Sequence, residues 1–367
     1  MLKQKKADRI LLGIVFILIT VGFFIFASAS LGEVGRDGSS FNTLVFKQLG
    51  ILLVGIILMS LTSKFSYKEW RPYALALFGA SLFLTALVFV PKIGFSSGGA
   101  KRWLNLGLTT FQPSEFLKLG MVVYLAAWAT ARKEKIKSWQ HGLLPFLGFL
   151  GIASVLLLKQ PDTGTLLVIC ASSLAVFILA GGQWKHLAII GLIGVLTVGF
   201  MAYTRPYVRD RITTFLNPAS DQLGKSYQIN QSLIAIGAGG VAGRGFGQSM
   251  QKFNFLPEPI GDSIFAIASE EFGFIGSVII ILLFLVFALW GLKIMAQVAD
   301  PFGRTLGASL IIMITAQAFI NIGAMLGVLP LTGIPLVFIS HGGTALFFAL
   351  IEVGIILNIS RFKTDRS

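Results

Sequence analysis

The sequence predicts an all-α membrane protein that crosses the bilayer about ten times. Of the 367 residues, 55% are apolar and only 13% are charged, and the mean hydropathy is +0.81. Soluble domains carry about 25% charged residues. A spanning helix needs roughly 20 mainly apolar residues, and the chain contains many such runs. We therefore predict a polytopic helical bundle, organised as one integral membrane domain over residues 1–367.

Ten apolar runs are the predicted spans, each bounded by polar or turn-forming residues. The first run is longer than the h-region of about 7–15 residues in a signal peptide, so we interpret it as a retained helix. The runs are Ile10–Ser30, Phe46–Leu61, Tyr73–Val90, Phe116–Ala131, Leu143–Leu158, Thr165–Ala180, Leu187–Tyr203, Ile264–Leu292, Leu306–Leu329 and Thr344–Ile359.

The basic residues predict that both termini are cytoplasmic. With the N-terminus inside, 17 Lys and Arg residues lie on the inner side and 12 on the outer side, and six of those 12 lie in one long loop between spans seven and eight. Long loops carry little weight in setting orientation. The net charge of +14 is then explained by topology and by contact with anionic lipid headgroups. No basic run is interleaved with aromatic residues, so we predict no nucleic-acid partner.

Two outer segments, Pro91 to Glu115 and Arg205 to Asp262, are long and rich in polar and turn-forming residues. The second contains a glycine-rich stretch from Gly237 to Gly247. Long ordered loops tend to be functional, so we expect the functional site on this side. The chain has a single cysteine, and no cysteine–histidine cluster indicates zinc.

Lys118 is a charged residue near the start of span four, with Glu115 three residues earlier on the same helical face. A lone lysine in mid-bilayer costs about 2.5–3.5 kcal/mol. One interpretation is that Lys118 snorkels or pairs with Glu115. The other is that it is a cation at the floor of an outward-facing polar cavity.

Asp162 and Asp262 stand at the outer ends of spans six and eight. Aspartate is a favoured helix N-cap and is stabilised by the positive end of the helix dipole. An ionised aspartate in this place is also suited to act as a general base, and the sequence leaves both roles open. Several outer cations could bind the phosphates of an anionic lipid-linked substrate or the headgroups of the outer leaflet: Lys101, Arg102, Lys118, Arg205, Arg209, Arg211 and Arg244.

A set of motifs, in order along spans three to ten, resembles the SEDS proteins (shape, elongation, division and sporulation). The motifs are Gly99–Leu104, Phe111–Lys118, Gln160–Thr165, Tyr227-Gln228 with Gln231-Ser232, Ala235–Gly240, Leu256–Glu258, Asp262 with Ile264–Ala266, Glu270–Gly273, and Gly333–Leu336 with Ile339–Gly343.

The resemblance implies ten helices and a peptidoglycan glycosyltransferase. It implies polymerisation of lipid II at the outer face of the bacterial cytoplasmic membrane, with a class B penicillin-binding protein and other division or elongation membrane proteins as partners. Gly99–Leu104 and Lys159–Thr165 resemble the elongation type, RodA, whereas Gln248–Glu258 and Leu331–Gly343 resemble the division type, FtsW. We favour a role in cell division, with cell-shape elongation as the alternative.

The family's essential aspartate falls on Asp262, and its other sensitive positions fall on Trp103, Lys118 and Asp162. Glu115, Gln231 and Ser340, which lie in matching motifs, are further expected substrate contacts.

Some neighbours of the expected catalytic residue depart from the family pattern. Ile260, Gly261 and Ser263 stand where the family usually has histidine, threonine and phenylalanine, and His341 replaces a common tyrosine. Because the aspartate itself is present, we still expect activity.

The expected reaction is an inverting transfer in which Asp262 is the general base. Lys118 and Arg102 are the expected partners of the departing pyrophosphate, with Arg211 and its neighbours in reserve. No cofactor is firmly predicted, although Asp162 or Asp262 could hold Mg²⁺ or Mn²⁺. Two alternatives remain open: a flippase that transports lipid II without chemistry, and a pseudoenzyme that scaffolds a division complex.

Overall fold

The computed structural model describes residues 6–34, 40–97, 100–105, 107, 110–218, 224 and 226–364. Gly99, the first residue of one family motif, lies outside them. The described part contains twelve α-helices: α1 Arg9–Ser30, α2 Phe41–Lys64, α3 Ala74–Leu87, α4 Pro113–Ala131, α5 Leu144–Lys159, α6 Thr163–Leu179, α7 Trp184–Thr204, α8 Pro206–Leu216, α9 Tyr227–Ala238, α10 Ile264–Ala296, α11 Pro301–Met325 and α12 Gly343–Ser360.

Each predicted span coincides with one helix, and α8 and α9 lie in the long segment between spans seven and eight. Seven helices of the described chain are long and apolar enough to cross a membrane, counting α5 together with the π-helical turn Trp139–Leu143 before it. Helices α3 and α6 are apolar but shorter, and α4 carries Glu115 and Lys118. The protein is therefore a multi-pass membrane protein. The count of ten crossings and the single domain stay predictions.

Several helix starts are fixed by local sequence. The side chains of Asp8, Ser40, Asp162 and Asp300 each accept a hydrogen bond from a backbone N–H in the first turn of the helix that follows. These bonds satisfy N–H groups that have no partner within the helix. The starts of α4, α8 and α11 carry proline, which needs no hydrogen bond there.

The bundle has a buried centre and an exposed rim. Of an apolar stretch of 18 residues in each helix, 83% is buried in α12 but only 6% in α7. Helix α12 packs against α2, and Gly354 allows the close approach, because a Cβ atom there would lie 1.9 Å from Thr62 Oγ1. Helix α11 packs between α10 and α6. Helix α7 therefore leaves most of its apolar surface for lipid.

The two chain ends meet on one face of the bundle. Lys363 Nζ lies 2.6 Å from Asp8 Oδ2, and the Thr364 N–H donates to the carbonyl of Gln297 in the connection between α10 and α11. The described ends of the chain, at Asp8 and Lys363, therefore lie on the same face of the bundle. Which side faces the cytoplasm stays a prediction.

A small antiparallel sheet on the opposite face was not predicted. Its strands are β1 Gly94–Ser97, β2 Ala100–Asn105 and β3 Thr110–Phe111, in the order β1-β2-β3. It occupies the first of the two long outer segments. On β2, Trp103 pairs with Phe95 and Lys101 with Ser96, so Arg102 is the extra residue of a β-bulge.

Candidate active site

Asp262 lies in the loop that leads into α10, and three contacts hold the backbone there. The Asn321 side-chain amide donates to the Asp262 carbonyl at 2.7 Å. The Ser340 hydroxyl donates to the Gly261 carbonyl at 2.7 Å, and the His341 N–H donates to the Ile260 carbonyl at 2.7 Å. Helix α11 and the segment before α12 therefore fix this loop through its main chain, although its side chains depart from the family pattern.

The Asp262 carboxylate is not a helix cap. The N-cap of α10 is Ser263, and the α10 start has no side-chain capping bond. Asp262 Oδ1 instead accepts a hydrogen bond of 3.0 Å from Gln228 Nε2 on α9. The capping interpretation of Asp262 is therefore wrong, and its carboxylate contacts α9 instead.

The second oxygen of this carboxylate and two arginines all lie close to Gly333. A Cβ atom built on Gly333 would lie 3.8 Å from Asp262 Oδ2, 3.7 Å from Arg211 Nη2 and 3.9 Å from Arg102 Nη1. Gly333 has a φ of +68°, a conformation that favours glycine. One carboxylate and two guanidinium groups thus surround a single point where no side chain intrudes.

Each guanidinium is anchored by its other nitrogen atoms. Arg102 donates to the carbonyls of Gln160 and Pro161, just before α6. Arg211 donates to the carbonyl of Leu331, and its guanidinium carbon lies 4.5 Å from the centre of the Tyr207 ring. Both cations are therefore held in place before any ligand binds.

The pKa of Asp262 is raised to about 6, first by burial and then by the nearby charge of Glu258. The hydrogen bond from Gln228 and the charge of Arg211 act in the opposite direction and lower this pKa. A carboxyl group with a pKa near 6 is mostly ionised at neutral pH. It is also a stronger base than an ordinary aspartate, which suits general-base catalysis.

A cavity of about 380 Å³ opens beside Arg211 and Gln228. Its walls come from α8, α9 and the segment Leu326 to Leu331 that follows α11. The lining is mainly apolar, with Arg211, Asp210 and Gln228 as polar groups. This combination is typical of a site for an amphipathic ligand.

Asp162 has a different environment, because it is a true helix cap. It is 1% exposed, and its Oδ1 accepts from the Thr165 N–H at 3.3 Å. Its Oδ2 accepts from Ser114 Oγ at 3.2 Å and from Gln112 Nε2 at 3.4 Å. The capping interpretation of Asp162 is confirmed, and its role in substrate binding stays a prediction.

Lys118 is buried and paired. Its ammonium lies 2.8 Å from Glu115 Oε2 and donates to the side chain of Gln317 on α11. Gln317 in turn donates to the carbonyl of Pro335 at 3.1 Å, in the segment just after Gly333. The predicted pairing with Glu115 is confirmed. The predicted contact of Lys118 with pyrophosphate stays a prediction, since Arg102 and Arg211 are the cations beside Asp262.

The remaining predicted site residues are placed around this centre rather than in it. Trp103 lines a second cavity, of about 700 Å³, together with residues of α2 and with His341. Ser340 braces the Asp262 loop and accepts a hydrogen bond from the Leu336 N–H. Gln231 lies half-buried on α9, one turn after Gln228. Their substrate contacts stay predictions.

The described residues do not form a metal centre from protein ligands alone. They contain no group of three or more His, Cys, Asp or Glu side chains that could hold an ion. Both oxygens of Asp162 already accept hydrogen bonds from the protein. The Mg²⁺ or Mn²⁺ that the sequence suggests at Asp162 or Asp262 stays a prediction, and we derive no step through a metal.

Gln228 and Asn321 are the site residues that sequence reasoning missed. Gln228 was noted only as part of a motif, and Asn321 lies inside the apolar run of span nine. A polar residue in such a run was the available signal for Asn321, because polar groups in a membrane are usually buried and bonded.

Known proteins share both the sequence and the fold. A family model for cell cycle proteins of the FtsW, RodA and SpoVE type matches residues 8–365. The chain is 38% identical over 363 residues to stage V sporulation protein E of Bacillus subtilis, covering 98% of this chain and 99% of that protein. It is 35% identical over 353 residues to a probable peptidoglycan glycosyltransferase FtsW of a Geobacter species, covering 96% of each.

Two solved structures resemble it closely. One comes from work on structural coordination of polymerization and crosslinking by a peptidoglycan synthase complex, with a TM-score of 0.81, 28% identity and coverage of 97% of this chain and 98% of that chain. The other is the rod shape determining protein RodA of Thermus thermophilus, with a TM-score of 0.70, 25% identity and coverage of 98% of each chain. The resemblance seen in the motifs is thereby confirmed, and this chain belongs to the FtsW/RodA/SpoVE family.

Proposed function

We propose that this protein is a peptidoglycan glycosyltransferase that polymerises lipid II at the outer face of the bacterial cytoplasmic membrane during cell division. The observation that carries the proposal is the placement of Asp262, Arg102 and Arg211 around Gly333. A base beside two fixed cations suits the transfer of a sugar from a pyrophosphate carrier. The names of the FtsW relatives support this reaction.

In the proposed reaction Asp262 is the general base. The 4-hydroxyl of the acceptor's N-acetylglucosamine attacks the anomeric carbon of the muramic sugar at the end of the growing chain. Asp262 takes the hydroxyl proton as the new carbon–oxygen bond forms. The bond from the anomeric carbon to undecaprenyl pyrophosphate breaks, with inversion at that carbon. General-base help of this kind is typically worth about 10²–10⁴-fold in rate.

The leaving pyrophosphate gains negative charge as the bond breaks, so a fixed cation accelerates the step. Arg102 and Arg211 are better placed for this than Lys118, whose ammonium is paired with Glu115. The starts of α4, α6 and α12 lie together, as the contacts of Gln112 with Asp162 and Thr344 show, and α10 begins just after Asp262. Their positive dipole ends add to the attraction for phosphate.

The membrane setting explains the choice of fold. The carrier lipid stays in the bilayer while its sugar reaches the site, and the apolar cavity beside Arg211 suits the lipid end of the substrate. A class B penicillin-binding protein is the proposed crosslinking partner, and both termini are proposed to face the cytoplasm. A reporter fused after Ser138 should then report the cytoplasmic side.

The decisive experiment uses the purified protein in liposomes with fluorescent lipid II, with and without a class B penicillin-binding protein. Glycan chains resolved on a gel are expected, and the partner should increase their amount. A parallel assay follows the movement of lipid II between leaflets. Movement of lipid II without any glycan product, even with the cognate partner present, would contradict the proposal and favour a flippase.

A further inference from the structure

Helix α10 is broken at Gly273, and the glycine-rich loop after α9 fills the break. Gly273 has a φ of +65°, and a Cβ atom there would lie 2.3 Å from Gly243 N. Irregular backbone at membrane depth is tolerated only where the protein satisfies its polar groups. Four hydrogen bonds do this here: Arg244 N to Glu270 O, Gly245 N to Glu271 O, Phe274 N to Gly240 O and Ile275 N to Val241 O.

Behind this junction lies a lysine without exposed surface. Lys252 is 0% exposed, which is rare for lysine unless its charge is paired. Its ammonium lies 2.8 Å from Glu271 Oε1, 3.0 Å from Ser28 Oγ on α1 and 2.8 Å from the Gly247 carbonyl. All three ammonium donors are therefore used, and they join α1, the loop and α10.

The neighbouring residue, Glu270, also binds this loop through hydrogen bonds. The Glu270 carboxylate is 0% exposed and accepts from Ser249 Oγ at 2.5 Å. It also accepts from the backbone N–H groups of Met250 and Gln251, both at 3.2 Å, and lies 3.1 Å from Arg244 Nη1. Two carboxylates on consecutive residues of α10 thus hold residues 249–252.

The held segment leads directly to the catalytic loop. Lys252 precedes Asp262 by ten residues, and the Leu256 N–H donates to the Gln251 carbonyl. Beyond Leu256, the contacts of Ser340, His341 and Asn321 described above hold the far end of the segment. The chain that carries Asp262 is thus fixed at two ends, and the ion pair of Lys252 with Glu271 is one of the contacts that hold the upstream end.

We propose that Lys252 is a positioning residue for the glycosyl transfer: its buried ion pair with Glu271 fixes the segment 253–262 so that Asp262 faces Gln228, Arg102 and Arg211. The proposal rests on the proposed function. A residue that only stabilises the fold would change the amount of folded protein. A positioning residue also changes the environment of Asp262 in the protein that does fold.

The test compares Lys252→Met with Lys252→Arg in liposomes, with fluorescent lipid II. We expect Lys252→Met to lower kcat at least tenfold, and to move the acid limb of kcat/KM to lower pH as Asp262 leaves its half-buried position beside Glu258. Hydrogen–deuterium exchange of residues 253–262 should rise at least tenfold. Lys252→Arg keeps the charge and should stay near wild type in kcat, in the acid limb of kcat/KM and in exchange. The exchange measurement needs no enzymatic activity, so it tests the positioning even where polymerisation fails for every form of the protein.

Two further variants keep the result interpretable. Lys252→Met/Glu271→Gln removes both charges and so leaves no unpaired carboxylate at Glu271. It replaces the single variant if Lys252→Met does not accumulate. We expect it to show the same shift in pH dependence and the same rise in exchange. Lys363→Met breaks the ion pair between the chain ends and should leave the acid limb unchanged. The proposal is overturned if the Lys252 variants lose thermal stability yet keep the wild-type acid limb and wild-type exchange over residues 253–262.

Discussion

Asp162 and Asp262 stand in similar sequence, each close after a proline and just before an apolar helix, yet their environments differ. Asp162 is buried, caps α6 and accepts hydrogen bonds on both oxygens from neighbouring protein groups. Asp262 is half-buried, leaves the capping of α10 to Ser263, and turns one oxygen towards two arginines.

The difference indicates which of the two aspartates has an oxygen available to accept a proton. A carboxylate whose oxygens are satisfied by backbone and hydroxyl groups contributes mainly to stability. The Asp262 carboxylate accepts side-chain hydrogen bonds on Oδ1, from Gln228 and Ser263, so Oδ2 stays available for a proton. The predictions below test this division of roles between Asp162 and Asp262, beginning with the largest expected effect.

Asp262→Asn should abolish polymerisation of lipid II, with a loss of about 10²–10⁴-fold, because the amide cannot accept the proton. Thermal stability in detergent should be nearly unchanged, since Asp262 caps no helix. Asp300→Asn is the matched control: Asp300 caps α11 at the far face, and its variant should keep full activity. Near wild-type glycan synthesis by Asp262→Asn would remove Asp262 from the chemistry.

Arg211→Gln should lower kcat by about 10²-fold, because one charge-stabilising donor is lost from the transition state. Arg211→Lys should recover only part of this rate, since lysine lacks the planar fork that bonds Leu331 and stacks on Tyr207. Arg209→Gln, an exposed position on the same helix, is the control. Equal rates for the Arg211 and Arg209 variants would show that general surface charge, rather than this site, matters.

Local sequence predicted much of the fold, because apolar run length and capping residues act within a few residues of one another. All ten apolar runs became helices, and Asp162 caps as its place before α6 indicates. The sheet was missed because β1 and β3 are only four and two residues long, too short for an alternating pattern to show.

The candidate site was predicted only in part, because its geometry arises from contacts between distant segments. Gln228 reaches Asp262 from another helix across 34 residues, and Asn321 reaches it across 59. Arg102 comes from the unpredicted sheet. Sequence identified the reactive residue types but could not tell that Lys118 pairs within the bundle while Arg211 faces Asp262.

Asp162→Ala should reduce stability more than chemistry. It removes the cap of α6 and leaves Ser114 and Gln112 without their acceptor, for a loss of about 1–3 kcal/mol in the free energy of unfolding. Asp162→Asn can still cap the helix and should recover much of that loss. Thermal melting in detergent, paired with polymerisation per folded molecule, separates the two effects. A variant that melts like wild type but makes no glycan would place Asp162 in the reaction as well.

The smallest effect at neutral pH is expected from Glu258→Gln, which leaves both aspartates intact. The Glu258 carboxylate lies over Gly261, with Oε2 3.1 Å from where a Cβ atom would stand, and after burial it is the main cause that raises the pKa of Asp262. Removing its charge should lower that pKa from about 6 towards the ordinary value. Because the base acts in its ionised form, activity that falls below about pH 6 in the wild type should persist to lower pH in the variant. The rate at pH 7 should change little, since Asp262 is mostly ionised in both forms.

The measurement is kcat/KM for lipid II between pH 4.5 and pH 8, roughly the range over which such a carboxyl titrates. Glu258→Asp, which keeps the charge, and Glu134→Gln, an exposed position on the other face, should both retain the wild-type acid limb. An acid limb that stays in place in Glu258→Gln, but moves in a variant at Asp162, would reverse the roles assigned here to the two aspartates.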